Sequence, residues 1–266
     1  ASADDWDQLQ GVHCVDGDLL VAGAAGAFPA TLDLERVTGD VVIAGNPDTT
    51  SLGAFANLDA VGGVVLVQGN DALADLDGLG QLTRATALNI VGNRSLTDLA
   101  GLEQLVNFPG SMRIANNPNL ISLAGLDGLA TLDALTRVTL LELTGNDAVA
   151  TLDLPALAKI ESRLLISDHA ALAAVTLPQL SSVGDLVRFD SNPGLTTVEL
   201  PTLVAAGSLS AIGDPSLRTL AAPHLVFLTA NLELRNLTLL DDLDLTSLAS
   251  TGAPRSSDSL VAVAPA

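Results

Sequence analysis

A short phrase recurs along this chain at a nearly fixed step. VVIAGNPDTTSL, MRIANNPNLISL, LLELTGNDAVATLDLP and GDLVRFDSNPGLTTVELP each read as a brief apolar strand, a turn residue and a further run of Leu and Val. Aligned on the turn residue, the copies fall at Asn46, Asn70, Asn93, Asn117, Asn146, His169, Asn192, Asp214 and Leu237, at steps of 24, 23, 24, 29, 23, 23, 22 and 23 residues. GDLLVAGAAGAF, residues 17–28, reads as a tenth, degraded copy. A period of this length restricts the chain to a stack of small units, each unable to bury its own apolar face.

The columns of this alignment predict the unit. Three residues before the anchor stand Ile43, Val67, Ile90, Ile114, Leu143, Ile166, Phe189, Ala211 and Leu234; five before stand Val41, Val65, Leu88, Met112, Leu141, Leu164, Val187, Leu209 and Leu232. All are apolar, and a spacing of two marks a strand with one buried face. Three and six residues after the anchor come further apolar columns, such as Leu73 and Leu76, Leu96 and Leu99, Leu195 and Val198. Each copy thus turns inward on two sides of a coil. The expected fold is all-β, a parallel β-solenoid of nine or ten coils; at ~4.8 Å per paired strand, nine coils make a rod on the order of 40 Å long.

The anchor Asn is expected at a tight corner, where it tolerates left-handed backbone and its amide bonds to backbone or to the stacked amide above. Asp214 imitates it, His169 does so in part, and Leu237 cannot, so the last coil is expected to be distorted there. Residues 70–132 use a Gly-Leu step (DGLGQL, AGLEQL, AGLDGL), whereas residues 146–225 use LPAL, LPQL, LPTL and APHL. Proline cannot donate to a ladder, which puts the second phrase at a corner or in unpaired backbone. The long step between Asn117 and Asn146 predicts a protruding loop near 133–139. Trp6 is the only tryptophan and is expected to help cover the first coil. The resulting organisation is a cap over 1–16, a solenoid over 17–248 and a Ser/Ala/Pro-rich tail or linker over 249–266.

Composition narrows the partners. Hydrophobic residues make up 48% of the 266 residues but aromatic ones only 2%, so the core is built from small aliphatic side chains. The net charge of −20, with Lys159 the single lysine, repels nucleic acid and anionic membrane. It suits either a salt-rich habitat or a GC-rich genome. No apolar run is long enough to span a membrane. Cys14 is the only cysteine, which excludes an internal disulfide, and His13, His169 and His224 fit no zinc spacing. The start ASADDWDQ lacks Met and is the form expected of a processed N-terminus.

Ligand contacts are expected on the outward columns of the main sheet. One reads Val42, Leu66, Asn89, Arg113, Glu142, Leu165, Arg188, Ser210, Glu233; the other reads Ala44, Gln68, Val91, Ala115, Thr144, Ser167, Asp190, Ile212, Arg235. The candidate binding face is Arg113, Glu142, Arg188, Asp190, Glu233 and Arg235, with Arg113 predicted to pair with Glu142 across neighbouring strands. The columns hold no repeated Thr, as ice binding requires, and gather no acids of the kind that hold calcium in polysaccharide-cleaving solenoids. Asp71, Asp75 and Asp77 lie close in sequence without a calcium-loop pattern. Adjacent His13 and Cys14 point apart in an extended cap and make no nucleophilic pair. The sequons at Asn93 and Asn236 are read as accidental, and neither a catalytic residue nor a cofactor is assigned.

The recurring N-P-x-L-x-x-L and L-P-x-L phrases, as in NNPNLISL and SNPGLTTVELPTL, resemble the receptor L-domain family over roughly residues 17–248, and share the N-x-L idea with leucine-rich repeats. The resemblance implies a right-handed β-solenoid, an extracellular or cell-surface location, and binding of a protein or glycan without catalysis. A purely structural envelope component is the alternative, with a carbohydrate-active enzyme on the same scaffold third. The disulfide caps of animal receptor L domains cannot be built from Cys14 alone.

Overall fold

The computed structural model of this protein describes residues 6–24, 28–29, 31–105, 107–108, 110–132, 140–251 and 261–262. The predicted loop at 133–139 and most of the predicted tail lie outside the described residues. The chain is an all-β parallel solenoid of about 9 turns with almost no helix. Its main sheet stacks Leu19–Ala22, Val41–Ala44, Val64–Gln68, Ala87–Val91, Ser111–Ala115, Leu140–Thr144, Arg163–Ser167, Ser182–Asp190, Ala205–Ile212 and Leu232–Arg235 in chain order. All of these pairings are parallel. The predicted columns are its registers: Ile90 lies opposite Ile114, Ile114 opposite Leu143, Leu143 opposite Ile166 and Ile166 opposite Phe189. The degraded first copy joins them, Val21 pairing with Ile43.

Both inward columns are buried along the whole rod. Where Phe189 occupies its column, the next coil supplies Ala211 opposite it, so a large side chain is followed by a small one and the stacking distance is kept. At the N-terminal end Trp6 packs on Phe28 and Phe55 with ring centroids 5.0 and 6.4 Å away, closing the first coils with three of the chain's few aromatics.

The two sequence phrases make two kinds of coil wall. In the LP coils a second parallel sheet forms from Thr151–Asp153, Ala174–Thr176, Thr197–Glu199, Thr219–Ala221 and Asp242–Asp244. Pro155, Pro178, Pro201 and Pro223 each follow these strands in a turn, where no ladder donor is needed. In earlier coils the same wall is a short 3₁₀ turn, Gly53–Phe55 and Asp77–Leu79. The Gly-Leu step is explained by close approach: a Cβ on Gly78, Gly101 or Gly125 would lie 1.9–2.0 Å from the carbonyl oxygen of Leu52, Leu76 or Leu99 on the preceding coil. A third wall of two-residue strands, including Lys159–Ile160 and Phe227–Leu228, completes the cross-section. Ser250–Thr251 pairs with Phe227–Leu228, and Val261–Ala262 with Glu233 and Leu234.

The corner differs from expectation in one respect. The left-handed residue is not the anchor Asn but the residue before it: Gly45, Gly69, Gly92, Asn116, Gly145, Asp168, Ser191, Gly213 and Asn236 all have φ between 56° and 67°. Glycine dominates this column because a Cβ is disfavoured there. The anchor itself is freed to point inward as a polar ladder. The backbone N–H of Asn46, Asn70, Asn93 and Asn117 each donates to Oδ1 of the next anchor at 2.9–3.1 Å. Each Nδ2 donates back to a strand carbonyl, Asn70 to Ile43, Asn93 to Val67, Asn117 to Ile90 and Asn146 to Ile114. Asn236 keeps the left-handed turn before Leu237, so the last corner is not bent out of shape; what Leu237 loses is the polar rung.

Candidate functional site

The outward columns are in register as predicted, Arg113 opposite Glu142, Glu142 opposite Leu165, Leu165 opposite Arg188, Arg188 opposite Ser210 and Ser210 opposite Glu233. The six predicted face residues form three ion pairs. Arg113 Nε donates to Glu142 Oε1 at 3.0 Å between neighbouring coils, and Arg235 Nε lies 3.0 Å from Glu233 Oε1 within one strand. Arg188 pairs with Asp190, also within one strand. One strand, Arg163–Ser167, lies between those of Glu142 and Arg188, and one more, Ala205–Ile212, between those of Arg188 and Glu233, so the three pairs are strung along the rod rather than gathered at one spot.

The structure adds a member that the column reading missed. Arg163 Nε donates to Asp185 Oδ2 at 2.7 Å; Arg163 opens its strand one step before the two columns that were read, and Asp185 directly precedes its register partner Leu186. With Arg163 included, the middle of the face is concave: a groove of about 310 Å³ is lined by Arg163, Leu165, Ile166, Ser167, Leu186, Arg188 and Asp190. Leucine side chains form its apolar part and two guanidinium groups border it. The missed signal was present, since the outward column six residues before the anchor runs Ser111, Leu140, Arg163, Leu186 and Ser208.

Electrostatically this face stands apart from the rest of the molecule. Four of the chain's 11 basic residues, Arg113, Arg163, Arg188 and Arg235, lie on it, each matched by a carboxylate. Half-exposed pairs of this kind contribute well under about 1 kcal/mol each to stability. Their stronger effect is to hold long side chains in place over a rigid sheet. Ser210, outward by column, is only 3% exposed because it sits between Arg188 and Glu233. At the other end Leu20, which pairs with Val42, is 66% exposed, whereas Val42 and Leu66 are half-buried.

Several other polar groups are engaged with the backbone. His169 is buried in the ladder, Nε2 donating to the Leu143 carbonyl and Nδ1 accepting from the Asn146 N–H at 3.3 Å. Burial lowers its pKa below the ordinary 6.5, against the opposing pull of the two backbone contacts. The acids around Asp77 close turns: Asp75 accepts from the Asp77 N–H, Asp98 from Ala100 and Glu103 from Gly101. Asp75 beside it, then burial, raises the Asp77 pKa above its usual value. Exposed His13 contacts Glu35, Cys14 is free and exposed, and His224 Nδ1 meets the Pro201 carbonyl at 2.6 Å. Among the described residues no helix is long and apolar enough to cross a membrane. No family model, curated protein or solved structure matches the chain.

Proposed function

We propose that this chain is a non-enzymatic binding module, secreted or displayed at a cell surface, that presents the outward face of its main sheet to a macromolecular partner. The observation that carries the reading is the groove between Arg163 and Arg188, a concave, part-apolar site framed by ordered ion pairs on a rigid stack of strands. Binding sites are concave and combine apolar floor with a few fixed polar groups. Rigid scaffolding reduces the ordering cost of association. The receptor L-domain-like phrases fit the same role, as does a repeat fold whose stacked coils offer an extended surface.

Between a protein and a glycan, the face favours a protein. Sugar recognition leans on aromatic stacking, and neither outward column contains an aromatic residue. Arginine with aliphatic surface is a common composition of protein interfaces. The test is capture from a surface or envelope extract on immobilised protein, beside a glycan array and a polysaccharide-hydrolysis panel. Saturable capture of one protein, lost in R163E/R188E with the circular dichroism unchanged, supports the proposal. Capture that the double reversal leaves intact overturns this site, and turnover of any polymer overturns the non-enzymatic reading. A structural stalk predicts no saturable partner at all.

A further inference from the structure

The corner ladder contains one rung whose chemistry does not fit the others. In seven successive rungs a side-chain N–H reaches the carbonyl that lies three residues before the preceding anchor position: Val21, Ile43, Val67, Ile90, Ile114, Leu143 and Ile166. Asn supplies that donor six times and His169 Nε2 once. The next carbonyl in the series is that of Phe189, and the next rung is Asp214. Its Oδ1 plays the normal accepting part, taking the Asn192 backbone N–H at 2.7 Å and Asn192 Nδ2 at 3.1 Å. Its Oδ2 replaces the side-chain donor that those seven rungs carry. It is buried and without a hydrogen-bond partner among the described residues, in a side chain that is 0% exposed.

A carboxylate in that position turns a lone pair toward a carbonyl lone pair and brings an uncompensated charge into the corner. A carboxylic acid turns an O–H toward it and completes the series. We propose that Asp214 is a proton-operated rung: one proton taken from solvent onto Oδ2 lets it donate to the Phe189 carbonyl and extends the ladder to the last full corner, and loss of that proton opens it.

The surroundings agree. Asp190 on the preceding coil is engaged with Arg188 and with the Ser191 hydroxyl, and its negative charge disfavours a second one nearby. Asn192 is neutral. On the following coil Leu237 offers nothing to a charge, and Arg235 is held by Glu233. The other titratable rung, His169, lies beyond Asn192, bonded to its Oδ1 through the His169 N–H. Burial then pushes the Asp214 pKa up from 3.8 to about 6. The rung therefore closes on mild acidification, and it does so at the end of the strand pair whose outer face carries Arg188 and Asp190.

The test is a carbon-13 titration of the aspartate carboxyls in the full chain, with chemical denaturation of the wild type and D214N at several pH values. The expected result is one carboxyl with a midpoint near 6 that disappears in D214N. D214N, which supplies the missing donor permanently, is expected to raise the folding equilibrium constant by about a hundredfold at pH 7.5, with the advantage shrinking toward pH 4. An Asp214 carboxyl that stays ionised down to pH 4 in the wild type, or an advantage of D214N that does not vary with pH, overturns the proposal. The carboxyl titration needs no variant, so the outcome does not depend on D214N folding well.

Discussion

Asn70 and Asn93 are tied by two hydrogen bonds across neighbouring coils, from the Asn70 backbone N–H to Asn93 Oδ1 at 3.1 Å and from Asn70 Nδ2 to the same oxygen at 3.3 Å. Asn93 Nδ2 meanwhile donates to the Val67 carbonyl at 3.0 Å. One amide therefore satisfies a donor and an acceptor of the preceding coil, and its removal orphans both together. Asn93→Ala is expected to cost about 3 kcal/mol, since each buried group left unpaired costs ~1–3 kcal/mol. Denaturant melts of the purified variant check it; a cost under about 1 kcal/mol means that water fills the corner. The same burial keeps the Asn93 sequon from being modified in the folded protein.

His169 gives the ladder a second pH response of opposite sign to that of Asp214. Because burial lowers its folded pKa, the unfolded chain takes up the proton first as the pH falls. The His169 contribution is therefore complete above its ordinary value near 6.5, and is lost as the pH drops from there to the depressed folded value. His169→Asn keeps both ladder contacts with a group that does not titrate. The variant is expected to lose less stability than the wild type between pH 7 and pH 5, measured by denaturant midpoints; identical pH profiles contradict the assignment.

Thr49 stands in a column that is otherwise Leu or Val, fully buried, and its hydroxyl has no hydrogen-bond partner among the described residues. Thr49→Val replaces the stranded hydroxyl by a methyl group of the same shape. The expected gain is about 1 kcal/mol, the lower part of the cost of a buried unpaired group. A higher thermal midpoint with an unchanged circular dichroism spectrum is the readout. A destabilised variant means that the hydroxyl has a partner in solution, such as a bound water.

Much of this molecule is legible because period two fixes which face a side chain takes. Ile90, Ile114 and Leu143 are buried, and Arg113 and Glu142 meet, as the columns predict. The corner was harder. Asn46 through Asn192 announce a ladder, but the left-handed position belongs to Gly45, Gly69 and Gly92, and an irregular column of Gly, Asn, Asp and Ser hides a single backbone requirement. The groove was harder still. Arg163 enters it from the start of its strand, where other copies carry Leu140 and Ser111, and no repeated residue type marks the column. Repetition reports what every coil needs to stack, whereas a binding site is a departure from repetition.

Gly101 carries the clearest case of a stacking need. Its φ is +102°, a conformation that L side chains rarely adopt, and a Cβ there would stand 2.0 Å from the Leu76 carbonyl oxygen. The obstacle is backbone of the preceding coil, itself fixed between two others, so it cannot yield as a flexible side chain would. Gly80 has no such constraint: its φ is ordinary and its nearest contact, the Asp77 carbonyl, is 3.2 Å from the Cβ position. Gly101→Ala is expected to destabilise by more than about 2 kcal/mol, combining strain at a glycine-only φ with a backbone clash. Gly80→Ala should change stability by less than about 1 kcal/mol in either direction. Parallel denaturant melts of the two decide whether coil spacing in the Gly-Leu stretch is set by backbone contact; equal effects would mean that the coils simply move apart.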